Sequence, residues 1–386
     1  MKVVIIIPTY NEKENTQRMI KALSKIVPIV KDHTLEVLYV DDSSPDGTAG
    51  VVESEMKKYP WLHLLSGSPK KGLGVAYARG MAYAMKQLSA DYLMEFDSDF
   101  QHPPRDIPRM VNEIDHGYDY IIASRYVPGG SVPANWTIDR KAVSLVGNLI
   151  ARIGLLIPQV HDCTGGFKLS RVKGFMDEFD FDTLLSKKFA YKIHLLAYMV
   201  VTKKAKIKEV PFSFENRIVG NSKYSTNEMK ESLKVILLFQ LKNPSIIKFF
   251  KFGVVGGVGF LVNLFGLRFF NGVYQQFSWP IGLVNFVANA TAAEISIISN
   301  FIFNNLWTFS KEKITNPVQY ISKFFAFNFS SIIGGILVPS FIIGVGTQIF
   351  GDQYREVFLI LALFGFTVPF NWFVYNKFIW GKKNLK

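Results

Sequence analysis

Charge and apolar surface lie in different parts of this chain, and that division constrains its fold more than any single motif. Charged residues dominate before about residue 242; four apolar segments follow, at about 249–273, 281–303, 324–350 and 357–380. Each supplies the roughly 20 helical residues that a hydrocarbon core requires. A single run of this kind fits a buried helix of a soluble domain, but four in succession are the pattern of a membrane domain. The connection 271–280 holds no Lys or Arg, whereas Lys311, Lys313 and Lys323 follow the second segment and Lys377, Lys382, Lys383 and Lys386 follow or close the fourth. The positive-inside rule then predicts that both termini, and everything before the first segment, face the cytosol.

The two pairs of segments read as a repeat. Lys248-Phe249-Phe250 recurs as Lys323-Phe324-Phe325, and Asn300 and Asn305 recur as Asn371 and Asn376. An even number of spans per unit makes this a parallel repeat. Glu294 falls inside the second segment, where a carboxylate is costly unless it is paired or faces protein. Arg268 lies near the outer end of the first, where its side chain can snorkel.

The formal net charge of +13 points to an anionic membrane surface or phosphate-bearing substrates. No recognisable nucleic-acid-binding motif accompanies it, so no nucleic-acid partner is expected. Cys163 is the one cysteine, so no intrachain disulfide can form. The opening run Val3-Val4-Ile5-Ile6-Ile7 before Pro8 is too short for a signal peptide and reads as a first strand.

Further apolar runs at 35–40 and 91–97 read as strands. They alternate with helical stretches: one through residue 22 capped by Asn11 or Thr9, one after Asp46-Gly47-Thr48, and one opened by Lys71-Gly72-Leu73-Gly74. Such alternation predicts a parallel, doubly wound α/β sheet. Gly72 and Gly74 lack a third glycine and do not directly follow a strand, so they mark a helix start rather than a dinucleotide fingerprint. The strand ends carry Tyr10 and Glu12, then Asp42, then Asp97 and Asp99, and in such a sheet these ends line one crevice. Two hard carboxylate donors with the Gln101 amide oxygen nearby suit Mg²⁺ or Mn²⁺ carrying a diphosphate. Glu12 and Asp46 can also be read as carboxylates favoured at a helix start, and for Asp46 that reading stands level with a functional one.

Pro8-Thr9-Tyr10-Asn11-Glu12, Val40-Asp41-Asp42-Ser43-Ser44-Pro45-Asp46 and Asp97-Ser98-Asp99-Phe100-Gln101-His102-Pro103-Pro104 resemble glycosyltransferase family 2, and within it the polyprenyl-phosphate hexosyltransferases of the dolichol-phosphate mannose synthase type. The resemblance continues through Ser124-Arg125-Tyr126, Gly129-Gly130, Asp139-Arg140-Lys141 and Asp162-Cys163-Thr164-Gly165-Gly166-Phe167. It ends in Glu209-Val210-Pro211-Phe212-Ser213-Phe214, Arg217 and Gly220-Asn221-Ser222-Lys223. It implies a GT-A-type (Rossmann-like) catalytic domain that binds a sugar nucleotide and a divalent metal. By that resemblance Pro8, Tyr10, Glu12, Val40 and Asp42 hold the nucleoside, and Asp97, Asp99 and Gln101 hold metal and diphosphate. Ser98, where such enzymes commonly carry alanine, joins the nucleotide-sugar site. Arg125 and Arg140 receive the acceptor phosphate, and Lys192, Arg217, Ser222 and Lys223 surround the phosphates, with Ser222 on the acceptor side. Asp99, Arg125 and Arg140 are the implied catalytic set. The last four segments resemble GtrA-like four-helix membrane domains.

Guanidinium forks pair bidentately with phosphate oxygens, and a metal neutralises a departing nucleoside diphosphate. A lipid phosphate is already anionic near neutrality, so it needs orientation and charge neutralisation rather than the positioned base a sugar hydroxyl requires. The glutamine-x-x-arginine-tryptophan signature of processive polysaccharide synthases is absent, which favours single-sugar transfer. Stretches 143–156 and 225–241 read as helices able to lie in the membrane interface, the first equally able to pack on the sheet.

The expected organisation is a GT-A-like domain over 1–224, an interfacial linker helix over 225–245 and an all-α transmembrane domain of four helices over 246–386. The expected reaction is inverting transfer of one hexose from GDP-mannose to dolichyl or polyprenyl phosphate at the lipid bilayer. UDP-glucose is the alternative donor. A lipid-linked-sugar transporter with a nucleotide-sensing domain and a nucleotidyltransferase are alternatives of other classes.

Overall fold

Val3, Val4, Ile5, Ile6 and Ile7 are all fully buried and form most of strand β1, Lys2–Thr9. A strand apolar on both faces must be covered on both, and that requirement organises the first unit. In the computed structural model residues 1–67, 69–217 and 226–381 are described, Thr226 without its side chain. The chain divides into two units, Met1–Leu241 and Lys242–Lys386.

The first unit continues with β2 (Thr34–Asp41), β3 (Leu62–Leu65), β4 (Tyr92–Glu95), β5 (Tyr120–Ser124), β6 (Lys168–Arg171) and β7 (Ile207–Pro211). These strands form a seven-stranded sheet in the order β3-β2-β1-β4-β6-β5-β7. Its pairs are parallel except that β6 runs antiparallel to both β4 and β5. Helices α1 (Lys13–Ile26), α2 (Thr48–Met56), α3 (Leu73–Gln87), α4 (Ile107–Asn112), α5 (Ile138–Leu155), α6 (Tyr191–Ala197) and α7 (Thr226–Leu241) complete it. Tyr77 and Met81 of α3, Leu196 of α6 and Val235 of α7 pack on one face, Met19 of α1, Val52 of α2 and Met110 of α4 on the other. The chain moves outward from β1 to β2 and β3, then returns to lay β4 on the opposite side of β1. The crevice at that switch point, outside the carboxyl ends of β1 and β4, is where such sheets bind ligands.

Several local expectations are revised. Helix α1 runs to Ile26, beyond residue 22, and the position before it is Glu12, with no side-chain cap. Thr9 instead donates to Asp41 at 3.4 Å, and Asn11 sits at φ 57°. Short strands such as Lys168-Leu169-Ser170-Arg171 carry no readable apolar run, and pairing with β4 and β5 is what makes them strands. The stretch expected as an interfacial linker contains α7, which packs against α5 and α6 within the first unit. A Cβ on Gly72 would lie 2.4 Å from the Lys187 carbonyl oxygen, so this glycine serves close packing at the start of α3.

The second unit holds four helical spans, Pro244–Tyr274, Ile281–Thr308, Pro317–Phe350 and Asp352–Ile379. The third begins earlier than expected, because Asn316 accepts the Gln319 N–H and Pro317 occupies the first turn. The repeat read from the sequence recurs in the packing. Phe252 packs on Trp372 at 5.4 Å and its counterpart Phe327 packs on Phe301, the counterpart of Trp372, at 5.3 Å. Phe309 and Trp380, equivalent positions of the two halves, stack on each other at 4.4 Å and 10°. An approximate two-fold axis therefore passes by that stack. Gly259 lies against Asn300 in one hairpin as Gly334 lies against Asn371 in the other. Glu294 breaks the symmetry: it accepts a 2.6 Å hydrogen bond from Asn328, whereas the corresponding positions are Gly365 and Gly253.

Candidate active site

Three loops leave the carboxyl ends of β1, β2 and β4, and each contains a non-glycine residue in left-handed backbone: Asn11 (φ 57°), Ser43 (φ 55°) and Phe100 (φ 63°). Conformations this sparsely populated persist where surrounding contacts over-determine them. Here Asp41 accepts from the Ser44 N–H (2.8 Å) and hydroxyl, the Ser44 hydroxyl accepts from Asn11 N–H (3.0 Å), and Asp46 accepts from Lys13 N–H (3.1 Å) and Thr48. Asp41 and Asp46 thus brace the loops, which decides Asp46 in favour of structure. Asp42 is left facing the cleft, 2.8 Å from Arg79 of α3, and burial pushes its carboxyl up despite that guanidinium.

The loops open onto a cleft of about 900 Å³. Pro8, Tyr10, Glu12, Asp42, Asp97, Ser98, Asp99, Gln101, Arg125, Arg140, Lys192 and Arg217 all line it. Val40 does not; its side chain is fully buried in the core of β2, so only its backbone could meet a ligand. Ser222 and Lys223 lie outside the described residues.

Asp97 and Asp99 have different surroundings. Asp97 receives the Tyr77 hydroxyl at 3.0 Å and has Lys192 Nζ at 3.8 Å. Burial works against its ionisation, but Lys192, Tyr77 and Arg217 outweigh it and hold the carboxyl below the usual range. Gly166 permits this arrangement, since a Cβ there would lie 2.0 Å from Lys192 Nζ. Asp99 is pushed up to about 6 by burial and by the charge of Asp97, in spite of Arg217 Nη2 at 2.7 Å. Arg217 also reaches the Gln101 amide oxygen at 3.3 Å. His102 is pushed down to about 4 by burial. Its Nδ1 accepts the Asp97 N–H at 3.4 Å, so it is a neutral ring and its approach to the Asp97 carboxylate is not an ion pair.

The two acceptor-side arginines also differ. Arg125 is nearly buried and forks Asp162 through Nε and Nη2, both at 2.7 Å, while Nη2 also meets Thr164 at 2.8 Å. Asp162 is fully buried, and despite that burial Arg125 holds its carboxyl low. Arg140 is exposed, lies over the Trp136 ring at 4.1 Å and makes no ion pair among the described residues. Beyond them the cleft turns apolar along Val143, Ile150 and Ala151 of α5 and Leu233 and Ile236 of α7.

The sequence model of Glycosyl transferase family 2 matches residues 4–179, and that of the GtrA/DPMS transmembrane domain matches residues 251–380. Dolichol-phosphate mannosyltransferase of Pyrococcus furiosus is 33% identical over 341 residues, covering 87% of this chain and 88% of that protein. This chain belongs to glycosyl transferase family 2. Polyprenol monophosphomannose synthase of Mycolicibacterium smegmatis is likewise 33% identical, over 60% of this chain and 84% of that protein. Among solved structures, mannosyl-3-phosphoglycerate synthase from Rubrobacter xylanophilus overlays with TM-score 0.43 at 16% identity, covering 63% of this chain and 74% of that one. An overlay that loose decides nothing about the site. This family 2 glycosyltransferase is an integral membrane protein, with four helices long and apolar enough to span.

Asp97, Asp99 and Gln101 fit a divalent cation. No group of three His, Cys, Asp or Glu ligands occurs among the described residues. Two carboxylates and an amide oxygen nevertheless suit Mg²⁺ or Mn²⁺, which keep waters and complete their shell with substrate phosphates. The Arg217 guanidinium already sits between Asp99 and Gln101, so these donors accept positive charge. Sequence reasoning missed Lys70, over the Tyr10 ring at 3.9 Å and lining the cleft, as well as Arg79, Tyr77 and Trp136. The Lys70-Lys71 doublet before Gly72 was a usable signal for the first; Arg79 and Tyr77 are unmarked positions on a helix.

Proposed function

We propose that this glycosyltransferase moves one hexose, mannose from GDP-mannose, onto a polyprenyl (dolichyl) phosphate with inversion at the anomeric carbon. The observation that carries the reading is the graded cleft: an acidic pair at the switch point, cationic Arg140 and Lys192 beyond it, then an apolar wall on α5 and α7. Exposed Leu145, Leu149 and Ile153 of α5 and Leu237 and Leu241 of α7 offer further apolar surface fit for a membrane interface. Both relatives are, by name, mannosyltransferases of dolichol- or polyprenol-type lipids, which supports mannose and the lipid acceptor.

Tyr10, with Lys70 over its ring, and Asp42 present an aromatic face and an acceptor to the nucleoside. Asp97, Asp99 and Gln101 hold Mg²⁺ or Mn²⁺, which when bound neutralises charge on the leaving nucleoside diphosphate. Lys192 and Arg217 add cationic donors on the phosphate side. Arg140 presents a planar fork to the acceptor phosphate, its guanidinium lying over the Trp136 ring. Arg125 contributes mainly by fixing the 162–166 loop from beneath, its Nε and one terminal nitrogen being committed to Asp162. The lysines flanking the spans, Lys311, Lys313, Lys323 and Lys377, support a cytosolic catalytic unit.

The test is incubation of the full chain with dolichyl phosphate, Mn²⁺ and a panel of radiolabelled sugar nucleotides, followed by lipid extraction. GDP-mannose is expected to label the lipid, with release of GDP. Labelling from UDP-glucose alone would reassign the donor, and release of inorganic diphosphate would make the protein a nucleotidyltransferase. Translocation of preformed glycolipid across vesicles without any transfer would refute the enzyme reading.

A further inference from the structure

Behind Asp97 lies a buried polar set that the proposed chemistry does not touch. Glu95, the last residue of β4, is buried, and its Oε2 accepts a 2.6 Å hydrogen bond from the Tyr191 hydroxyl. It stands directly opposite Lys168 of β6 in the sheet register. Lys168 is fully buried, and its Nζ has no hydrogen-bond partner among the described residues. Glu95 Oε1 likewise has no partner among the described residues, and burial pushes the Lys168 ammonium down and the Glu95 carboxyl up. A well-packed apolar pair would often fill such a place at no loss of stability, so stability alone does not account for these two polar side chains.

Two routes lead from Glu95 to the cleft. The Tyr191 ring stacks on Tyr77 at 5.2 Å and 26°, and the Tyr77 hydroxyl donates to Asp97 Oδ1 at 3.0 Å and to the Phe96 carbonyl at 3.1 Å. Lys192, beside Tyr191 on α6, places its ammonium 3.8 Å from the other oxygen of Asp97. We propose that Glu95 is a positioning residue: by anchoring Tyr191 it fixes Tyr77 and Lys192, and these hold Asp97 in the orientation that meets the diphosphate-bearing cation. The assignment rests on the proposed metal role of Asp97 and adds the device that aims it.

The experiment measures binding of Mn²⁺ with GDP to the full chain in detergent by calorimetry, alongside initial rates and melting temperature. Tyr191→Phe keeps the stacked ring and removes the hydrogen bond; it should weaken Mn²⁺–GDP binding about fivefold with little change in melting. Tyr77→Phe should do at least as much. Because both act through one chain of contacts, the double variant should lose no more than the worse single one. Glu95→Leu combined with Lys168→Met removes the acceptor for Tyr191 without leaving a lone ionisable group in the core, so it should weaken Mn²⁺–GDP binding about as much as Tyr191→Phe, and wild-type affinity in it would overturn the positioning role. Wild-type affinity in Tyr191→Phe, or losses that multiply in the double variant, would overturn the positioning role. If Asp97→Asn abolishes binding while Tyr191→Phe does not, the metal reading survives and the network fails. An Asp97→Asn chain that binds as wild type overturns both.

Discussion

In the catalytic unit ion pairs stand among the buried polar groups: Arg125 with Asp162 and Arg217 with Asp99. In the membrane unit these groups are mostly amides and hydroxyls. Asn305 accepts from the Ile314 N–H and from the Trp380 indole, Ser296 donates to the Gly259 carbonyl, and Asn300 and Asn371 lie against glycines. The difference follows from the surrounding medium. A folded sheet in water can recover the desolvation of a charge through a close partner and hydrogen bonds, and a site that binds phosphates needs such charges. Helices in lipid gain no hydrophobic drive towards one another, so they meet through small residues and neutral hydrogen bonds. Glu294, exposed on its span, is bonded to Asn328 on one side of the two-fold and replaced by glycine on the other.

The largest expected effect sharpens the charge-pair side of this contrast. Arg125→Ala leaves Asp162 buried without its fork, which should cost about 3–5 kcal/mol. That corresponds to a fall of at least roughly 6 °C in the melting of the catalytic unit, followed by circular dichroism with and without GDP. A chain that melts as wild type but transfers poorly would return Arg125 to a purely phosphate-binding role. Next in size, Asp99→Ala should lower turnover on the order of 10²-fold while the fold persists. Unchanged turnover at saturating Mn²⁺ would remove Asp99 from the metal set.

On the amide side, Gly259→Val forces a side chain onto Asn300 and should destabilise the membrane unit by about 1–3 kcal/mol. Gly253→Ala, with nothing within 4 Å of its added carbon, should be nearly neutral. Equal melting of the two variants in detergent would break the claim that the Gly–Asn contacts hold the hairpins. The smallest effect concerns pH. Asp99 titrates at about 6, whereas Asp97 is held low and His102, at about 4, stays neutral throughout. Below pH 6 a metal must displace one proton, so Mn²⁺ affinity should be about fivefold weaker at pH 5 than at pH 6, about tenfold weaker than at pH 7, and level off above pH 7. A flat titration between pH 5 and 7 would show that Asp99 does not bind the metal.

Local pattern was enough to read the spans, the central strands, the switch-point loops and the helical repeat. These features depend on run length, periodicity and residue type, which act over neighbouring positions. The acidic pair was legible for the same reason: Asp97 and Asp99 directly follow an apolar strand. Tertiary structure decided which charges are spent on the fold and which face substrate. Asp41 and Asp42 are adjacent, yet one braces Ser44 and the other lines the cleft with Arg79. Arg125 and Arg140 look alike in sequence, yet one is committed to Asp162 and the other stands open over Trp136. Such assignments depend on partners distant in sequence. Desolvation and Coulomb attraction are set by those three-dimensional neighbours, and the order of residues along the chain does not carry them.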